Sequence, residues 1–294
     1  VTARYPVNNE KRSDGQAHRR RFAVDGWNAM TYEGKDNLLR AVRTNAEAMF
    51  AMAEAPGAWE APTACAGWSV RDIIGHLVDT TEAYFVSFDA ARGNGQAADA
   101  LGVRIMARRV NERATAFRSS SQQEMMTRLR ADFAKMMEIF QALGPDEWTG
   151  LMVPHVYMGP LPAFFYPAFQ LMDYGVHSWD IRQGTGRAHG LDGDTADLLV
   201  PFMFGLWQAT ADVEAGSEPF TLGLRVSGRN AVEQRVTIGP DGVAFEPGSV
   251  DDLATVLEFD PGSFVLTAFG RSNSGTIRGE VGPADRYLNL FFRI

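Results

Sequence analysis

Apolar residues recur at helical spacing from about residue 33 to 212, and mostly at a spacing of two in the stretch that follows. This change of period predicts a helical N-terminal region followed by a small region containing strands. A first helix runs through Leu38, Leu39, Val42 and Met49, and Gly57 and Pro62 end its pattern. The segment Ser69-Val70-Arg71-Asp72 reads as a helix opening, because Ser69 can cap the amide three residues on and Asp72 suits the positive end. The helix beyond it puts Val70, Ile73, Ile74, Leu77, Thr81, Tyr84, Phe85 and Phe88 on one face. Further amphipathic segments fall at about 98–117 and 121–143, the second closed by Gly144-Pro145. A proline-rich turn around Pro154, Gly159, Pro160 and Pro162 leads into a long apolar helix ending near Gln183-Gly184. Pro167 either kinks that helix or sits in its first turn. One more helix follows Asp194 and runs through Trp207, with Pro201 as a place for a bend.

Past Ala215-Gly216-Ser217, Phe220, Leu222, Leu224 and Val226 alternate with Thr221, Gly223, Arg225 and Ser227, as in a half-buried strand. Two more strands are expected at Glu233–Ile238 and Val243–Phe245, joined by the turn Pro240-Asp241-Gly242. Short helices are expected at 249–258, 261–269 and 283–292. The organisation that results is a polar N-terminal extension over 1–31, a helical bundle over 32–215 and an α+β domain over 216–294. No internal repeat or low-complexity tract interrupts it.

Composition narrows the function. With 294 residues, 45% of them apolar, the chain can bury a substantial core. A net charge of −8 without a stripe of cations argues against a nucleic-acid surface. No apolar run reaches the roughly 18 residues of a spanning helix, so no membrane partner is expected. Arg19-Arg20-Arg21 is followed by Phe22-Ala23-Val24-Asp25-Gly26, which lacks the apolar stretch of a signal peptide. A single cysteine, Cys65, fits a reducing compartment and has no partner for an intramolecular disulfide; it reads as a small buried thiol. The expectation is a cytoplasmic protein, monomeric or homodimeric.

The histidines carry the chemical signal. Of the five, His18 lies in the extension and His189 in a glycine-rich connector, and both read as solvated; His155, in the proline-rich turn, is assigned no role. His177 stands in a row with Tyr166, Gln170, Asp173 and Asp180, spaced by three or four residues on one helix face. Asp173 and His177 can therefore reach one ion from the same helix, although such a pair also occurs on solvated faces. His76 stands at the edge of its helix's apolar stripe, where a hydrogen-bonded core histidine is the alternative. Spacing alone does not show whether these helices face each other.

The stretch Thr63-Ala64-Cys65-Ala66-Gly67-Trp68-Ser69-Val70-Arg71-Asp72-Ile73-Ile74-Gly75-His76-Leu77 resembles the tryptophan-to-histidine signature of the mycothiol-dependent maleylpyruvate isomerase family. Asp173-Tyr174-Gly175-Val176-His177-Ser178-Trp179-Asp180-Ile181-Arg182, followed by Gly184-Thr185-Gly186, is similar to its second signature. The resemblance spans roughly residues 32–215. It implies a DinB-like four-helix bundle holding one divalent metal, zinc above all, through His76, Asp173 and His177. In that family a glutamate commonly stands at the position of Asp173, so the shorter side chain alters reach. The C-terminal segment resembles a small sterol-carrier-like α+β domain. Its stretch Asp251–Arg271, ending Thr267-Ala268-Phe269-Gly270-Arg271, makes Arg271 a candidate catalytic residue that binds a substrate carboxylate.

Two imidazoles and one carboxylate leave coordination positions open, as a catalytic metal requires. The resemblance implies a metal-held small thiol, mycothiol, that attacks an electrophilic small molecule in S-transfer or thiol-assisted cis–trans isomerisation. Asp180 and Trp179 are candidates to orient His177 from behind. Two other readings remain open: non-haem iron chemistry with oxygen, which the same donor set suits, and non-catalytic binding of an apolar ligand.

Overall fold

The computed structural model describes residues 26–96, 99–187, 189–214 and 218–294. The extension expected over 1–31 lies outside the described residues as far as residue 25. Residues 26–31 are packed against the protein instead: Ala29 is fully buried and its carbonyl accepts from Trp148 Nε1, while the Gly26 carbonyl accepts from Asn37. An indole needs a partner when buried, and this strand of backbone supplies it.

Helices α1 (Lys35–Ala53), α2 (Val70–Ala91), α4 (Gln122–Ala142) and α6 (Phe165–Gly184) form the N-terminal bundle; the shorter α3 (Val103–Thr115) flanks α2. In α1 the buried Leu38, Val42, Ala46, Met49 and Ala53 recur every three or four residues and face α6 and the core. The expected opening of α2 is present, with Asp72 as its main device: its carboxylate accepts from the Ser69 amide and hydroxyl and from Arg118. Gly75 lets α3 approach closely, since a Cβ there would lie 2.6 Å from the Ala114 carbonyl oxygen.

Gly144-Pro145 ends α4 and opens the short α5 (Pro145–Gly150). The proline-rich turn proves to be a hairpin of β1 (Met152–His155) and β2 (Gly159–Pro162), in which Pro154 opposes Pro160. A two-stranded ribbon tolerates residues without an N–H because neither strand lies inside a larger sheet. Pro167 falls in the first turn of α6, where its missing N–H costs no helical bond.

Helix α7 (Gly193–Thr210) is opened by Asp192, whose carboxylate accepts from the Thr195 amide, and contains Pro201. Beyond it β3 (Phe220–Val226), β4 (Val232–Gly239), β5 (Gly242–Pro247), β6 (Thr255–Phe259) and β7 (Thr276–Gly279) form one sheet in the order β5-β4-β3-β6-β7. Only the β3–β6 pair is parallel. Helices α8 (Pro261–Ala268) and α9 (Val281–Leu288) complete this α+β region.

The helix expected over 249–258 is overturned: Thr255–Phe259 is a strand, preceded by a loop whose Val250 covers Gly223 of β3. Strand β6 is buried at Thr255, Val256, Leu257 and Phe259, so its apolar run does not alternate. A short run buried on both faces cannot be told from a buried helix by period. Helix α7 bridges the two regions. Trp207 packs edge-on against Phe264 and Tyr287 at 5.0 and 5.1 Å between ring centroids, and one continuous apolar core includes residues of both regions. No described helix is long and apolar enough to cross a membrane.

Candidate metal centre

The bundle brings α2 and α6 together so that His76, Asp173 and His177 converge. His76 Nε2 lies 3.5 Å from Asp173 Oδ1, the two imidazole rings meet edge-on at 5.2 Å, and one ligand atom from each residue falls within 4.8 Å of the others. Two ligands on one ion at the usual bond length of about 2.1 Å sit roughly 3.4 Å apart in a tetrahedron. The His76–Asp173 separation matches that spacing. Asp173 Oδ2 is buried with no hydrogen-bond partner among the described residues, a costly state for a carboxylate that a cation would relieve. The residues present therefore fit a divalent metal.

A second polar group lies directly behind His177. Its Nδ1 is 2.8 Å from Asp180 Oδ2. The carboxylate accepts, so Nδ1 carries the proton and Nε2 keeps its lone pair, the form a metal ligand needs. Asp180 is wholly buried and is gripped from the C-terminal region by Arg271, whose Nε and Nη2 donate to its two oxygens at 2.9 and 3.2 Å. Cys65 Sγ donates to the same Oδ2 at 3.1 Å, and Arg271 Nη2 approaches the sulfur at 3.5 Å. Burial alone would raise the Asp180 carboxyl, but the hydrogen bond from His177 and the charge of Arg271 hold it well below the usual carboxylate range. Burial, joined by the Asp180 charge, pushes the Cys65 thiol up to about 12. Burial also lowers His177, against the pull of Asp180, and so favours its neutral ring.

Cys65, His177 and Asp180 also come within metal-ligand spacing of one another. That second set does not suit an ion, because a guanidinium already occupies the carboxylate that would bind it and the His177–Asp180 distance is that of a hydrogen bond.

Trp68 walls the site on a third side. Its ring is 5.5 Å from that of His76 and 6.0 Å from that of His177, and Nε1 donates to Asn111 at 2.9 Å. The loop carrying Cys65 is tied to α6 by the Ala64 amide, which donates to the Asp180 carbonyl, and by Gly184, where any Cβ would collide with Pro62 and Thr63.

The row read from the helix spacing is not a solvated face: Tyr166, Gln170, His177 and Asp180 are all buried. Arg271 arrives at the site as well, but against Asp180, with Nη1 also donating to the Phe269 carbonyl. Of the two residues considered for orienting His177, Asp180 makes the contact. Sequence reasoning assigned no role to Cys65 or Trp68. Both sit inside the Thr63–Leu77 stretch, so their nearness to His76 was legible, but their contacts with α6 were not.

Residues 39–182 match the family described as the mycothiol maleylpyruvate isomerase N-terminal domain. Among solved structures, the chain is similar to the mycothiol-dependent maleylpyruvate isomerase at 14% identity and a TM-score of 0.56, over 88% of this chain and 97% of that one. A histidine-to-alanine mutant of that isomerase is similar at 13% identity, with the same TM-score and coverage. At this identity the likeness establishes a shared fold across both regions. No curated protein matches the sequence.

Proposed function

We propose that this protein is a metal-dependent enzyme that activates a low-molecular-weight thiol, mycothiol in the first instance, for attack on an electrophilic small molecule. The observation that carries this reading is the buried, unpartnered Asp173 oxygen beside two imidazoles, one of which already has its ligating tautomer set by Asp180. The match of residues 39–182 supports the choice of thiol.

In this reading His76, Asp173 and His177 hold the ion, and a zinc ion would supply stabilisation of a thiolate at neutral pH. The protein's own residues do the rest. Asp180 keeps the proton of His177 on Nδ1; Arg271 and Cys65 keep Asp180 in place; Trp68 closes one wall against water. Arg271 retains one Nη1 hydrogen without a partner among the described residues, and we assign it to a carboxylate of the substrate. Attack on a carbon of a conjugated double bond, followed by rotation and loss of the thiol, gives isomerisation; release of the adduct gives transfer.

Metal analysis of the purified chain and of His76→Ala tests the reading. About one equivalent of zinc is expected in the parent and a large loss in the variant; equal, negligible metal in both would end it. Iron in place of zinc, with thiol-dependent oxygen uptake, would favour the alternative that the same donor set allows. Incubating the zinc-loaded chain with mycothiol and a panel of electrophiles, followed by mass spectrometry of the thiol, identifies the reaction.

A further inference from the structure

The β1–β2 hairpin places a third histidine beside the site, with its ring oriented by the backbone. His155, the last residue of β1, is 8% exposed. Its Nδ1 accepts from the amides of Tyr157 and Met158, both at 3.2 Å. A nitrogen that accepts two N–H groups carries a lone pair, so in the neutral ring the proton sits on Nε2. Burial favours that neutral ring, lowering His155 to about 4 against the opposing pull of Asp173. Among the described residues no hydrogen-bond acceptor meets Nε2–H. Nε2 is not among the fully buried unpaired side-chain atoms, so this donor opens onto space that a ligand can enter.

His76 meets Asp173 and His177, whereas Tyr84 meets Tyr166 and Phe169, so α2 and α6 run antiparallel. Thr80 and Tyr84 continue the face of α2 that bears His76, and Phe169 lies one turn before Asp173 on α6. The His155 ring sits 5.5 Å from Phe169 and 6.2 Å from Tyr84. It packs on the turns of α6 that bear Tyr166 and Phe169, one to two turns before Asp173.

We propose that His155, through Nε2–H, binds the carbonyl or carboxylate oxygen of the electrophile that the thiolate attacks. This rests on the thiol-transfer reading above. When sulfur bonds to the carbon of a conjugated double bond, the π pair moves to that oxygen; on the return the double bond re-forms and the thiolate leaves. The imidazole proton stays on Nε2 throughout and stabilises the oxygen while it is charged. A placed donor of this kind is worth on the order of 100-fold in rate.

Asparagine at position 155 keeps an acceptor near Nδ1 for the two hairpin amides but removes the distal donor. The test uses the zinc-loaded full chain labelled with 15N-histidine, titrated with maleate, a small unsaturated dicarboxylate. Two-bond proton–nitrogen spectra should show His155 as the Nε2–H tautomer, with a resonance that moves on maleate addition. In His155→Asn the maleate Kd should rise at least tenfold, with zinc content unchanged. A His155 resonance that stays still at saturating maleate, no maleate binding, or equal affinity in the variant would overturn the proposal. If the variant does not fold, the parent's His155 resonance decides alone. Zinc content in the same samples tests the metal reading separately, and the titration of metal-free protein still tests His155.

Discussion

On one side of the His177 ring, Asp180, Arg271 and Cys65 satisfy one another with hydrogen bonds; on the other, His76 and Asp173 face a shared point, with one carboxylate oxygen buried and unpaired. Each group is built round a carboxylate, but only Asp180 has both oxygens hydrogen-bonded. A charge network in which donors and acceptors match holds the fold together, and here it ties the C-terminal region to the bundle. A carboxylate with an unpaired oxygen beside two imidazoles is an arrangement that a cation would complete. The comparison separates structure from site more sharply than burial or spacing does.

The strongest way to break it is Asp180→Ala. That change strands the guanidinium of Arg271, 15% exposed, and frees the His177 ring. Removing one member of a buried pair typically costs about 3–5 kcal/mol, so urea unfolding of metal-free protein should show a loss of that size. A loss under about 1 kcal/mol would mean that the network is ornamental.

Asp173→Asn should do the reverse. Zinc affinity, read by competition with a chelator, should fall by roughly 100-fold or more, beyond the usual effect of losing an outer partner. The metal-free protein should keep its stability or gain up to about 1 kcal/mol, because an unpaired buried carboxylate oxygen is gone. A large destabilisation would show that Asp173 belongs with the structural group.

Cys65→Ser offers a smaller, pH-dependent contrast. Burial pushes the folded thiol up to about 12 from an ordinary value of 9.0, so between those values the unfolded chain holds fewer protons. Stability must then fall as pH rises through that window, by at most about 1.4 kcal/mol per pH unit. Serine does not titrate there, so the variant's stability should decline less between pH 9 and 11. Parallel curves for the two proteins would remove Cys65 from the satisfied network.

Much of this was readable along the chain, for reasons that name their own limits. The i, i+4 spacing of Asp173 and His177, and the i, i+3 spacing of His177 and Asp180, are helix geometry, so their shared face could be stated before any coordinates. Strands β3, β4 and β5 were equally legible, because a sheet with one wet face alternates. Strand β6 was not, because a strand buried on both sides has no period to read. Arg271 and Asp180 are separated by 91 positions, and nothing local encodes their pairing.

Local pattern thus determined the elements, their amphipathic faces and the residue types offered for chemistry, because those depend on backbone periods of a few residues. Tertiary packing alone decided which helices met, that the polar row of α6 turned inward, and which carboxylate was neutralised. Those outcomes depend on distances between parts of the chain far apart in sequence, where desolvation and the count of available partners set the energy.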